Sequence, residues 1–165
     1  ELLACFDLAY STNCPNCFVL SRQSLPQIES TSFTFAKRGG YLLESDGAKI
    51  DVALFASGSE LSLALDVKKE LNDRGYKVSV SSFPCLEQFE KQTSAYKKSV
   101  VAPTAKLRVA IECSDDKIWY KYLNPDDLFI GVKKYGKSGN GKVVYEKYGF
   151  NVKDITKKVE ESLKH

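Results

Sequence analysis

"DVALFASGSELSLALDVKKEL", Asp51 to Leu71, decides the fold. Val52 to Ala56 is a continuous apolar run between Asp51 and Gly58, the pattern of a strand covered on both faces rather than one that alternates toward solvent. Ser59 stands where a helix N-cap belongs. Leu61, Leu65, Val67 and Leu71 then recur at helical spacing to about Asn72, and Gly75 is the stop. Buried strand, glycine turn and amphipathic helix make half of a βαβ unit. "YKVSVSSFP", ending at Pro84, supplies the second strand, so a parallel pair with a right-handed crossover is expected.

Downstream, "CLEQFEKQTSAYKKSV" reads as broken helix, "LRVAIEC" as another fully apolar strand, "DDKIWYKYL" as a short helix and "FIGV" as a short strand. The glycine-bearing "YGKSGNGK" precedes "VVYEKYG", and Val152, Ile155, Val159 and Leu163 form one stripe of a last amphipathic helix. Upstream, "GGYLLES" is a strand entered through two glycines, Gln23 to Gly39 is irregular around Pro26, and "CFVLS" is expected as a short buried strand. Leu2 to Tyr10 reads as the end of a helix stopped by "STNCPN". The sum is a three-layer α/β domain without repeats or low-complexity linkers.

Composition agrees with one soluble domain of 165 residues, 43% apolar, with net charge +3. The 20 lysines are interspersed with acids along amphipathic segments, a solvated face rather than a nucleic-acid track. No apolar run reaches the roughly 18 residues of a membrane span, and the N-terminus lacks the basic region of a signal peptide. Five cysteines, an odd number at irregular spacing, argue against a secreted disulfide framework and for a reducing compartment. There is no Met, and Glu1 opens directly into a helical pattern, so the chain is expected to begin inside a longer polypeptide.

Four features offer chemistry. Cys14 and Cys17 form a Cys-x-x-Cys pair, but a redox thiol belongs at a helix N-terminus and a zinc site needs two more ligands, so the pair reads as a turn with incidental thiols. "ASGSE" is a strand-to-helix turn of the kind that can hold phosphate, and "YGKSGNGK", with Lys137 and Lys142, is glycine-rich; neither carries a Gly-x-Gly-x-x-Gly or Gly-Lys-Ser/Thr motif. Glu112, Asp115 and Asp116 follow a strand end, where active-site groups collect in α/β sheets and where a helix N-cap also belongs. The only histidine is His165, the last residue, so no base is at hand for nucleophilic catalysis.

Arg22 differs in kind. There are only four arginines, at 22, 38, 74 and 108, and Arg22 follows a short apolar strand before the Pro26 turn, so its guanidinium is expected at a sheet edge, where it suits bidentate recognition of a carboxylate or phosphate, or an internal salt bridge.

In order along the chain, "LSRQSLPQIE", "KRGGYLL", "DVALFASGSELSLALDVKKEL", "VSSFPCLEQFEKQTSAYKKSV", "VAIECSDDKIWYKY" and "YGKSGNGKVVYEKYGF" resemble the C-terminal domain of transketolase. The chain departs from that pattern at Gly141-Lys142, where Ala-Pro is common. The resemblance implies a three-layer α/β/α fold with a mixed five-stranded sheet, mostly parallel with one antiparallel strand. It implies residues 1–14 as the end of a preceding domain or linker helix and residues 15–165 as the C-terminal domain. It further implies transfer of a two-carbon ketol unit between sugar phosphates in the pentose phosphate pathway, by a cytoplasmic homodimer, with neither nucleic acid nor membrane as partner. Thiamine diphosphate and a divalent metal, magnesium or calcium, would be held with the catalytic groups by the other domains, leaving this chain without catalytic, cofactor or metal residues and inactive alone. The residue carried over is Arg22, as the ligand of the substrate phosphate. A dihydroxyacetone synthase relative, a stand-alone interaction module on the same fold and a thiol-redox protein are the alternative readings.

Overall fold

In the computed structural model the described residues are 1–115 and 117–164. In chain order the elements are α1 (Leu2–Ser11), α2 (Phe33–Ala36), β1 (Tyr41–Ser45), β2 (Val52–Ala56), α3 (Glu60–Asp73), β3 (Val78–Ser82), α4 (Leu86–Glu90), α5 (Ser94–Val101), β4 (Leu107–Ile111), a 3₁₀ turn at Lys117–Lys121, β5 (Leu128–Ile130), α6 (Gly141–Lys147) and α7 (Val152–Ser162). The strands lie in the order β1-β3-β2-β4-β5. β2 pairs in parallel with both β3 and β4, β4 pairs in parallel with β5, and only β1 runs antiparallel, against β3.

The apolar runs read as doubly covered strands are buried on both faces. Val52, Leu54 and Ala56, with Val78, Val80, Leu107, Val109 and Ile111, meet Leu61, Ala64, Val67 and Leu71 of α3 and Ile155 and Val159 of α7. The alternate residues Ala53, Phe55 and Ala110 face a second core of Phe83, Phe89, Val100, Trp119 and Tyr122. Here Phe83 is the hub, meeting Phe55, Phe89 and Trp119 edge to face with ring centroids 5.1–5.5 Å apart.

The two glycines before β1 answer to this core. Gly39 adopts φ +83°, and a Cβ on it would stand 2.3 Å from the carbonyl oxygen of Cys85; a Cβ on Gly40 would stand 2.6 Å from the Phe83 ring. Only glycine lets the chain enter β1 this close to α4. The ladder of β1 is then irregular, with a register shift between Leu42 and Glu44.

Four expectations need correction. "CFVLS" is not a strand: Val19 is 93% and Leu20 61% exposed, and Phe18 stacks on Phe6 of α1. The segment lines the clefts at Ser57, Gly58 and Pro84, so it crosses the carboxyl ends of β2 and β3 instead of lying along a sheet edge where it would find ladder partners. Arg22 accordingly stands at no sheet edge. The stretch 23–39, read as irregular, contains α2, whose first turn is capped by Ser32 accepting from the Phe35 N–H. "DDKIWYKYL" forms only the 3₁₀ turn, with Trp119 buried as its anchor. Asp116 and His165 lie outside the described residues.

Candidate functional site

Strand order places the site. The chain steps from β2 to β3 on one side and returns to β4 on the other, so the sheet has its topological switch point between β2 and β4. Crevices outside the carboxyl ends of strands at such a point are where open α/β sheets bind ligands. Two adjoining clefts open there, of about 560 Å³ and 650 Å³, and share Val19, Leu20, Ser21, Ser57, Gly58 and Pro84.

The floor is polar. Ser57, just past β2, donates its hydroxyl to Glu112 Oε2 at 2.7 Å, just past β4. Glu60, in the first turn of α3, is only 3% exposed. Burial first, and the negative charge of Glu112 second, push its carboxyl up to about 7, against hydrogen bonds from Ser59 and from the Cys113 backbone that favour the charged form. The Tyr145 hydroxyl of α6 also donates to Glu60 Oε1. Ser59 sits at the N-cap position, but its hydroxyl donates to Glu60 Oε1 at 2.9 Å instead of capping the helix.

These groups are engaged with each other, and their chemistry follows. Burial and the charges of Glu60 and Glu112 raise the Cys113 thiol, so it is no activated thiolate. The turn Ser57–Glu60 presents a buried carboxylate near neutrality rather than a free nest of N–H donors, which disfavours the phosphate reading of "ASGSE". Asp115 is exposed. Cys14 and Cys17 are exposed free thiols on an irregular segment, away from any helix N-terminus. Among the described residues no three His, Cys, Asp or Glu side chains come together to hold a metal.

Arg22 is exposed, and its neighbours Ser21 and Gln23 line the cleft. Among the described residues it has no ion pair, which leaves the internal salt bridge without support. The other three arginines are engaged. Arg108 meets Asp127 through Nε at 2.8 Å, Arg74 meets Glu70 and Glu160, and Arg38 lies over Tyr96 and Phe35.

Sequence reasoning missed the buried acid. Glu60 falls on the stripe of Ala64, Val67 and Leu71 at helical spacing, a carboxylate on an apolar face, and that was the available signal.

The family described as "Transketolase-like TK C-terminal domain" matches residues 39–151. The transketolase of Aquifex aeolicus is 36% identical over 150 residues, covering 89% of this chain and 22% of that protein. A mutant transketolase from Pichia stipitis superposes with TM-score 0.79 at 32% identity, over 86% of this chain and 20% of its own. Transketolase from Leishmania mexicana gives 0.78 at 29%, over 87% and 20%. The chain thus spans about a fifth of the length of the relatives it matches.

Proposed function

The chain belongs to the transketolase family, as its C-terminal domain, and on that premise we propose that the protein it forms part of transfers a two-carbon ketol unit from a ketose phosphate to an aldose phosphate, with Arg22 holding the sugar's phosphate. The observation that carries this is the contrast among the arginines: Arg38, Arg74 and Arg108 have partners, while Arg22, among the described residues, is unpaired beside the carboxyl-end crevice. A planar guanidinium there offers two parallel N–H donors to an oxyanion.

Arg22 acts by positioning. Its phosphate partner is remote from the bond being broken, and binding there orients the reacting end and excludes misaligned poses. Removing one charged partner of this kind costs about 1.5–3 kcal/mol.

Thiamine diphosphate with magnesium or calcium would supply the family's carbon chemistry, but the residues of this chain do not fit that group. No metal-ligating triad comes together among the described residues, and the turn from β2 into α3 at the crevice is filled by the Glu60 carboxylate. We assign the cofactor, and the catalytic groups that act with it, to other domains, and we read residues 1–14 as the end of the preceding part and 15–165 as the C-terminal domain. The irregular stretch between α1 and α2 is consistent with that division. Homodimeric assembly belongs to the same reading, as does a cytoplasmic location, which the five free cysteines support.

The test is ketol transfer by the full-length parent, wild type against Arg22→Gln, with a phosphorylated donor and its unphosphorylated analogue. Loss confined to the phosphorylated donor supports the reading. Equal loss with both donors makes Arg22 structural, and no transfer by the wild type overturns the activity itself.

A further inference from the structure

A second cleft, of about 470 Å³, opens beyond the carboxyl end of β5 and is unrelated to Arg22. Five lysines line it: Lys133, Lys134 and Lys137 from the loop after β5, Lys147 from the end of α6 and Lys158 from α7. No carboxylate is among its lining residues. Among the described residues none of the five is in an ion pair, whereas Lys68, Lys97, Lys106 and Lys121 elsewhere each meet an acid.

We infer that this cleft binds a compact polyphosphorylated small molecule. Charge decides the class of ligand. The whole chain carries a net charge of +3, so five unpaired ammonium groups in one concavity exceed the excess of the entire molecule. A cleft walled by one sign of charge focuses its field inward and concentrates counter-ions of the opposite sign. A single phosphate, at about −1.5 to −2, offsets fewer than half of these charges, whereas a di- or triphosphate matches them. The volume lies within the roughly 300–1,000 Å³ of small-molecule sites.

The loop that carries three of the lysines is tied down. Tyr148 donates its hydroxyl to the Tyr135 carbonyl at 2.6 Å, and Asn140 caps α6 through the Lys142 N–H at 3.1 Å. Tyr135 itself, 99% exposed, presents a bare ring at the cleft. Inorganic polyphosphate and a nucleoside triphosphate share the required chemistry, and only the second has a base to stack on that ring.

The experiment is calorimetric titration of the 165-residue chain with sodium tripolyphosphate and, separately, with ATP, at low and raised salt. One-to-one binding that weakens with salt is expected. Reversal of Lys134, Lys137 and Lys158 to Glu lowers affinity for both probes at least tenfold, and their change to Gln gives an intermediate loss. Reversal of Lys69, Lys91 and Lys98, exposed and outside the cleft, changes it less than threefold, as does Arg22→Gln. Tyr135→Ala weakens ATP alone if the physiological source is a nucleotide, and neither probe if it is an inorganic chain. Absence of binding at millimolar probe, or equal losses in the two triple reversals, overturns the inference. All six lysines are exposed, and circular dichroism of each variant verifies that the fold is kept.

Discussion

The Tyr145 hydroxyl donates to the Glu60 carboxylate, fastening α6 to the first turn of α3 across 85 residues of chain. Burial, with the charge of Glu112 second, holds that same carboxyl up to about 7, and this makes the domain's stability depend on pH.

Glu60 is raised from an ordinary 4.5 to about 7 in the folded chain. The folded state therefore binds its proton more tightly than the unfolded state, and the stabilisation is complete below about 4.5 and lost as pH climbs through about 7. A shift of this size corresponds to at most about 3 kcal/mol. Urea unfolding followed from pH 5 to pH 8 should show this decline in the wild type and a flatter profile in Glu60→Gln. Parallel profiles would show that Glu60 titrates normally.

The acid limb has a different owner. Glu90 accepts from Tyr122 at 2.5 Å and meets Lys121 and Lys97, and its carboxyl is held down to about 2, with Lys121 the largest cause. Its contribution is present above an ordinary 4.5 and lost as pH falls toward 2. Glu90→Gln should raise the acid-unfolding midpoint measured by tryptophan fluorescence, since Trp119 packs against Tyr122.

Arg108 and Asp127 form a buried pair, 10% and 7% exposed, with Nη2 and Oδ2 2.8 Å apart. Asp127 also accepts from the backbone N–H groups of Arg108 and Asn124, tying β4 to the approach of β5. Asp127→Ala strands a buried guanidinium and should destabilise by about 3–5 kcal/mol. A loss below 1 kcal/mol in a denaturant titration would mean that water reaches the arginine.

Arg22→Gln should leave the thermal midpoint of the same chain unchanged, because among the described residues no ion pair is lost with it. A drop in the midpoint would expose a structural partner and undercut its reading as a ligand-binding residue.

Gly39→Ala should be the most damaging single methyl. The φ of +83° costs a β-carbon about 1–2 kcal/mol by itself, and contact at 2.3 Å with the Cys85 carbonyl adds to it, because that atom is backbone. Calorimetry reads the loss directly; a midpoint within a degree of wild type would mean that α4 can slide away from β1.

The sheet was legible because β2, a central strand buried on both faces, is a continuous apolar run at Val52–Ala56, and because β3, which alternates valine with serine, and β4, apolar except for Arg108, follow it at βαβ spacing. "CFVLS" imitates it without being one. Local composition reports what a segment tends to bury, whereas a strand also requires a free ladder, and this segment passes over the strand ends. Arg22 could be singled out by rarity of type and by resemblance. The part-buried hydroxyl-carboxylate contacts of Ser57, Glu60, Glu112 and Tyr145 come from two helices and two strand ends, and no local pattern announces side chains that meet only after the sheet closes.

The irregular ladder of β1 governs how this domain avoids sticking to itself. A sheet grows at its edges, and both edges here are poor templates: β1 breaks register between Leu42 and Glu44, and β5 offers only three residues. The strands best suited to cross-β stacking, β2 and β4, are shut inside, each with a neighbour on both sides. Aggregation of this domain is thus gated by global unfolding rather than by contact between native molecules, and fibre-forming segments become available only when the centre of the sheet opens.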